Sequence, residues 1–246
     1  MKLTVLGRYG PFPAPGGACS GYLLESGDIA LALDLGSGTL SNLLRRLPGL
    51  GLTAILLSHL HSDHMSDMLV LRYALQQLSA HGRSVPMPLS VVCPDEPDLE
   101  FRQLAGSGVY DMVPARDGLR IRFGTMAISF HRVIHPVPTY CFHIEHQGRR
   151  LFYTGDTGYF AGLSDLARGA NVILAGTGFL NAEKTTAIAP HLTAGEAGRL
   201  ARDAGAEQLL CTHIWGGEPR EEAILAEAKA LFPNTLVVEE MHEYMI

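Results

Sequence analysis

Residues 53–64, TAILLSHLHSDH, run from an apolar strand pattern directly into three imidazoles and a carboxylate. A short apolar run bounded in this way reads as a buried strand. His59, His61, Asp63 and His64 therefore fall where the chain leaves a sheet. Neutral imidazole is the commonest metal ligand, and carboxylates complete such sites. Nothing in fold stability calls for that density of histidine. A regular strand would send His59, His61 and Asp63 to one face and His64 to the other. On a curled loop all four can surround one small volume, which suits two metal ions about 3.5–4 Å apart.

A two-metal site needs more ligands, and the chain offers them in one recurring context. His135 follows the strand pattern ISFHRV and meets the interruption PVP. Asp156 ends RRLFYTGD, and His213 ends EQLLCTH. Three separate strands thus finish in a ligand-type residue, which points to one edge of a sheet assembly. His131 is the rival of His135, which is preferred because regular pairing must stop at PVPTY. His143 and His146, on or beside a hairpin, are expected to face solvent, while His81 and His242 lie in loop or terminal contexts.

The rest of the chain reads as a single domain over 1–246 with sheet at its centre and helices outside. Further strand patterns occupy 2–7, 21–26, 29–36, 89–94, 126–133, 139–146, 149–156, 171–176, 207–214 and 235–240. Helical spacing of apolar residues covers 66–80. A second helix follows Thr193 as N-cap, with Glu196 completing a capping box and Gly205 as its stop. A third covers 219–232. The tetrapeptide HQGR at 146–149 predicts an antiparallel hairpin. Strict βαβ alternation is absent, so a doubly wound sheet is not expected. No internal repeat, long linker or charge block stands out.

Composition narrows the function classes. Hydrophobic residues form 47% and charged residues 18% of 246, the balance of a folded domain. A net charge of −6 argues against a surface that tracks many phosphates. No apolar stretch approaches the roughly 20 residues of a membrane span, and the N-terminal run is too brief for a signal peptide. Four scattered cysteines without a CxxC pair suit buried thiols in a reducing cytoplasm.

HLHSDH, followed by His135, YTGDT and CTHI, resembles the metallo-β-lactamase-fold hydrolases over nearly the whole chain. The resemblance implies an α+β fold, a four-layer αββα sandwich with a dinuclear metal site at one edge of its two sheets. It implies that His59, His61 and His135 bind one ion and that Asp63, His64 and His213 bind the other. Asp156 would bridge them. Asp34, in LALDLGSG, matches an early Asp-x-Gly and would orient the metal-binding loop through hydrogen bonds. The simpler reading of Asp34 is a turn-forming residue before Gly36.

GPFPAPGGACSGYLLE, HPVPTYCFHIE and APHLTAGEAGRLARDAG resemble the ribonuclease-Z-like branch. In that branch a histidine before the penultimate helix helps protonate the leaving oxygen, and the matching residue is His191. Asp63 and His191 are accordingly the expected catalytic side chains. Two departures bear on substrate. Only 34 residues separate Asp156 from His191, leaving no evident tRNA-gripping arm, and Gly176 stands near where relatives carry a supporting glutamate.

Two divalent ions lower the pKa of a shared water toward neutrality and hold it as a bridging hydroxide nucleophile. The expectation is a zinc-dependent phosphodiesterase of small or exposed substrates, with manganese or iron also compatible with the donors. A carboxylic ester, lactone or thioester hydrolase fits the same ligands, and a non-catalytic metal-binding module is the alternative outside enzymology. Transfer RNA and membranes are not expected partners, and a homodimer is compatible with the family. Thr177, Phe179 and His191 are the expected pocket residues. The glycine-rich stretch 9–21 reads either as a substrate-side loop or as an ordinary connection.

Overall fold

The computed structural model describes residues 1–185 and 190–246. Its first half comprises β1 (Lys2–Gly7), β2 (Gly21–Ser26), β3 (Ile29–Leu35), α1 (Thr39–Arg46), β4 (Ala54–Leu56), α2 (Ser62–Met65), α3 (Met68–Ala80), β5 (Leu89–Cys93), α4 (Asp98–Ala105) and β6 (Tyr110–Pro114). The second comprises β7 (Arg120–Phe123), β8 (Met126–Arg132), β9 (Tyr140–His146), β10 (Arg149–Tyr153), α5 (Leu163–Ala167), β11 (Val172–Gly176), α6 (Ala194–Ala204), β12 (Gln208–Thr212), α7 (Glu221–Lys229), β13 (Thr235–Val237) and β14 (Glu243–Met245). Among the described residues a 3₁₀ turn, Asn181–Glu183, lies between β11 and α6.

Two seven-stranded sheets result, ordered β14-β1-β2-β3-β4-β5-β6 and β13-β12-β11-β10-β9-β8-β7. Leu3, Leu31 and Leu33 of the first meet Phe130, Phe142 and Tyr153 of the second in the central core. A second core joins the outer face of the first sheet to α1, α3 and α4 through Leu43, Leu71 and Leu104. A third joins the second sheet to α5, α6 and α7 through Leu163, Leu200 and Ile224. The fold is therefore the expected αββα sandwich.

Local chemistry explains why several elements stand where the sequence places them. In β11 and β12 the runs VILAG and LLCT are buried on both faces, as parallel strands covered by helices require. The β9–β10 hairpin turns on Gln147 and Gly148, both at positive φ, the backbone a tight I′ connection demands. Thr193 accepts from the Glu196 N–H, and Glu196 returns the bond to the Thr193 N–H.

Other elements differ from expectation. The helix predicted over 66–80 is observed as α3, Met68–Ala80, and an unpredicted helical turn, α2, precedes it; Asp67, between the two, accepts the Leu40 N–H at 2.7 Å. Asp63 and His64 thus sit on a helical turn rather than an open loop. His146 is buried, not solvent-facing: Ser26 and Thr125 hydroxyls meet its two ring nitrogens at 2.9 and 2.8 Å. His143 is half-buried. Among the described residues no helix is long and apolar enough to cross a membrane.

Candidate metal centre

All seven predicted ligands converge at one edge of the sandwich, beyond the C-terminal ends of β4, β8, β10 and β12. His59 and His61 follow β4, and Asp63 and His64 occupy α2. His135 lies just past β8, Asp156 just past β10, and His213 immediately after β12. They form two groups, His59–His61–His135 and Asp63–His64–Asp156–His213, each with ligand atoms within 4.8 Å of one another.

In the first group two of the three imidazoles, His59 and His135, have partners for their outer nitrogens. His59 Nδ1 lies 3.0 Å from Ser58 Oγ, and Ser58 Oγ itself donates to Asp34. His59 must therefore donate through Nδ1, which leaves Nε2 as a bare lone pair. His135 Nδ1 meets the Pro190 carbonyl at 3.0 Å, which frees its Nε2 in the same way. The two Nε2 atoms stand 3.0 and 3.2 Å from His61 Nδ1. A proton on His61 Nδ1 can satisfy only one of these two lone pairs, whereas a cation between the three nitrogens would satisfy all of them. Burial lowers the pKa of all three imidazoles, that of His59 farthest, so protons do not supply that charge.

The second group is organised by Asp34, fully buried at the end of β3. Its carboxylate accepts from the Ser58 N–H at 2.7 Å, Ser58 Oγ at 2.8 Å, His64 Nδ1 at 2.8 Å and the Tyr153 hydroxyl at 2.6 Å. His64 Nε2 then points inward, 3.3 Å from Asp156 Oδ2 and 3.4 Å from Asp63 Oδ2, without hydrogen-bond geometry to either. Near contacts off the hydrogen-bond axis are what ligands of one ion show. His213 Nε2 stands 3.2 Å from Asp63 Oδ2 and 3.1 Å from Asp156 Oδ2.

Electrostatics give the same result. Burial opposes charge on Asp63 and Asp156, yet the His64 and His213 imidazoles hold both carboxyls below the usual carboxylate range. Burial also opposes charge on His213, and the Asp156 and Asp63 carboxylates outweigh it, raising that imidazole to about 9. His64 is raised in the same manner by Asp156, Asp34 and Asp63. This pocket demands positive charge, and a divalent cation supplies it without the off-axis contacts. Asp156 Oδ2 is the shared atom, since it also reaches to 3.8 Å from His59 Nε2. The residues present fit a pair of metal ions.

Asp34 and His213 both hold left-handed backbone, φ 54° and 55°. Gly10 makes the approach to His213 possible: a Cβ there would lie 2.1 Å from His213 Nε2. His191 reaches the centre from α6's N-terminal side, with Nδ1 3.6 Å from Asp156 Oδ2 and its ring stacked on His213 at 5.0 Å. Burial pushes its imidazole down to about 4. Gly176 does not face His191. Its nearest neighbours are the Gly155 carbonyl, Asp156 and His213, and a Cβ there would crowd that carbonyl at 3.1 Å. Gly178 is the glycine against the His191 ring.

A cleft of about 430 Å³ opens beside the ligands and is lined by Phe179, His191, His213, Trp215 and Arg220. Of the three expected pocket residues, Phe179 and His191 line it. Thr177 does not; it is fully buried and donates to the Thr212 carbonyl. The glycine-rich stretch contributes Gly10 and Pro11 to the wall, which favours the substrate-side reading of that loop. Sequence reasoning missed Ser58, Tyr153, Trp215 and Arg220. Ser58 and Tyr153 had a signal, for each directly precedes or nearly adjoins a ligand, as SHLH and YTGD. Arg220 had none.

Comparison with known proteins agrees with this geometry. Residues 35–214 match the family model described as Beta-lactamase superfamily domain. The probable metallo-hydrolase YhfI of Bacillus subtilis is 35% identical over 214 residues, covering 87% of each chain. The crystal structure of that metallo-β-lactamase-fold protein superposes with a TM-score of 0.92 at 32% identity, over 99% of this chain and 98% of that one. Ribonuclease Z of Mycolicibacterium paratuberculosis is 30% identical over 207 residues, 71% of this chain and 69% of its own. Human tRNase Z, short form, shares the fold at a TM-score of 0.77 and 20% identity, over 100% and 99% of the two chains. With its ligand-type residues at the sandwich edge and these relatives, the chain belongs to the β-lactamase superfamily as a metallo-hydrolase of the metallo-β-lactamase fold.

Proposed function

We propose that this metallo-hydrolase is a dinuclear zinc phosphodiesterase acting on small or exposed substrates. His59, His61 and His135 hold one ion, Asp63, His64 and His213 the other, and Asp156 serves both. The observation that carries the proposal is the position of Asp156 Oδ2, within 3.8 Å of His59 Nε2 and 3.1 Å of His213 Nε2, between the two groups. Zinc suits a donor set rich in imidazole. When bound, such an ion pair acidifies a shared water and polarises the electrophile.

The chain's own groups divide the remaining work. Asp34 and Ser58 keep His64 and His59 in the tautomers that present Nε2 inward. Asp63, ionised and facing the centre, would serve as a ligand and orient the attacking water by accepting its hydrogen bond. His191 lies on the cleft side of Asp156, where a leaving oxygen would depart; with its imidazole pushed down to about 4 it is neutral near pH 7 and would assist that oxygen as an N–H hydrogen-bond donor. The ribonuclease Z relatives favour a phosphodiester over a carboxylic ester, lactone or thioester. The acidic balance and the short segment between Asp156 and His191 favour substrates smaller than tRNA. The four free, buried cysteines favour a reducing cytoplasm.

The test combines metal analysis with a substrate panel. About two zinc ions per chain and turnover of bis(p-nitrophenyl) phosphate above a thioester and a lactone are expected. Less than one metal per chain under every supplement would overturn the dinuclear reading. Preference for the thioester or lactone would move the protein to the other hydrolase class.

A further inference from the structure

The cleft beside the ligand groups has walls unlike the polar site they adjoin. Phe179 and Trp215, both half-buried, contribute aromatic surface, and Pro11 and Pro190 add apolar surface without polar hydrogens. The aromatic wall is continuous with the centre: the Phe179 ring meets His191 edge-on at 5.6 Å, and His191 stacks on His213. A group seated against Phe179 therefore lies one imidazole away from a proposed ligand.

Arg220 is the cation in this wall, but its charge is already committed. The side chain is only 5% exposed, and its two terminal nitrogens lie 3.0 Å from the Glu183 carboxylate oxygens. One also donates to Glu218 at 3.1 Å. The guanidinium lies 4.7 Å over the Trp215 ring, while Phe12 meets that ring edge-on at 6.3 Å. With two carboxylates on one guanidinium, the wall among the described residues offers no free guanidinium or ammonium to a further phosphate. The same contacts clamp Trp215, so its indole is a rigid surface rather than a mobile cover.

From this we infer that the cleft is a subsite for a neutral aromatic substituent of the substrate, held against Phe179 and the clamped Trp215 while the single anionic group reaches the metals. The inference rests on the dinuclear reading above and narrows it. Substrates with a flat, uncharged group on the phosphorus ester are selected, and chains carrying a second phosphate in the cleft are disfavoured. Arg220 acts as a positioning residue, through Trp215 and Glu183.

The chain contains one tryptophan, so Trp215 emission reports the cleft directly. Zinc-loaded protein is titrated with phenylphosphonate and with methylphosphonate, neither of which is hydrolysed, and affinities are confirmed by calorimetry. Phenylphosphonate is expected to bind about tenfold or more tightly, with a saturable change in Trp215 emission that methylphosphonate does not produce. Phe179→Ala should shrink that ratio to about threefold or less and leave zinc content unchanged. Arg220→Gln should shrink it too, and Arg220→Lys should restore it in part. Equal affinity of the two phosphonates overturns the subsite and leaves the metal reading standing. Absence of binding by both overturns the metal reading and the subsite with it.

Discussion

Replacing Asp34 by asparagine tests the organisation of the centre more sharply than removing a ligand. Asparagine tolerates the left-handed backbone at this position, so the change adds no backbone strain. Asp34 Oδ2 accepts three of the four bonds and Oδ1 the fourth, from the Ser58 N–H. An amide can put its oxygen in the Oδ2 place and keep three acceptor contacts, but its NH₂ then faces the Ser58 N–H. The opposite flip faces three donors and is worse. At least one fully buried donor is orphaned, which costs about 1–3 kcal/mol. For a chain of this length that lowers the melting temperature by about 3–10 °C. The neutral acceptor also holds His64 and Ser58 less firmly, and loss of such an orienting partner weakens metal binding about 10- to 100-fold. The assay pairs thermal melts of metal-free protein with zinc affinity by chelator competition. Tyr153→Phe is the control: it removes one donor and leaves the His64 bond intact, so it should cost about 1 kcal/mol and barely move the zinc affinity. Wild-type zinc affinity in a folded Asp34→Asn protein would refute the reasoning, because the tautomers of His59 and His64 would then not depend on Asp34.

Three further outcomes are expected. Gly10→Ala places a methyl 2.1 Å from His213 Nε2, so the imidazole must move; metal analysis should show loss of the ion proposed for Asp63, His64 and His213 while circular dichroism stays that of the wild type. Asp156→Asn removes the carboxylate oxygen shared by both groups, and kcat on a phosphodiester should fall by about a hundred- to a thousandfold, with a drop in metal stoichiometry. Burial pushes Cys93, Cys141 and Cys211 up to about 12 and Cys19 to about 11, so the native chain should resist a thiol-specific reagent at pH 8 and release four thiols on unfolding. Because these folded values stand above the ordinary thiol value of 9.0, the associated stability is complete below about pH 9 and is lost as pH rises toward 12; urea melts across that range that show no such decline would contradict it.

What the sequence showed of this protein divides by the distance over which information travels. HLHSDH is legible because its four ligand types lie within six residues, and His135, Asp156 and His213 because each follows a strand readable by its apolar run. α6 is legible because Thr193, Glu196 and Gly205 mark both ends locally. The unpredicted helices α1, α4 and α5 are eight, eight and five residues long and bury one to three side chains each, too few to set a period. β6 and β7 are sheet-edge strands whose side chains are largely uncovered, so the apolar signal of a strand is weak there.

Asp34 was legible from LALDLGSG, but the partners through which it and the cleft residues act were hidden for a different reason. Asp34 reaches Ser58 across 24 positions, His64 across 30 and Tyr153 across 119, and Arg220 meets Glu183 across 37. His146 misled for the same cause, since the hydroxyls that meet it come from the end of β2 and from the β7–β8 turn. Metal ligation is therefore written in short motifs, whereas ligand orientation and the shape of the cleft arise only when the two sheets close on each other. A relative that keeps every ligand but changes residue 179, 215 or 220 would bind the same ions and prefer another substrate. The seven ligand-type residues alone, however complete, identify the hydrolase family and not what it hydrolyses.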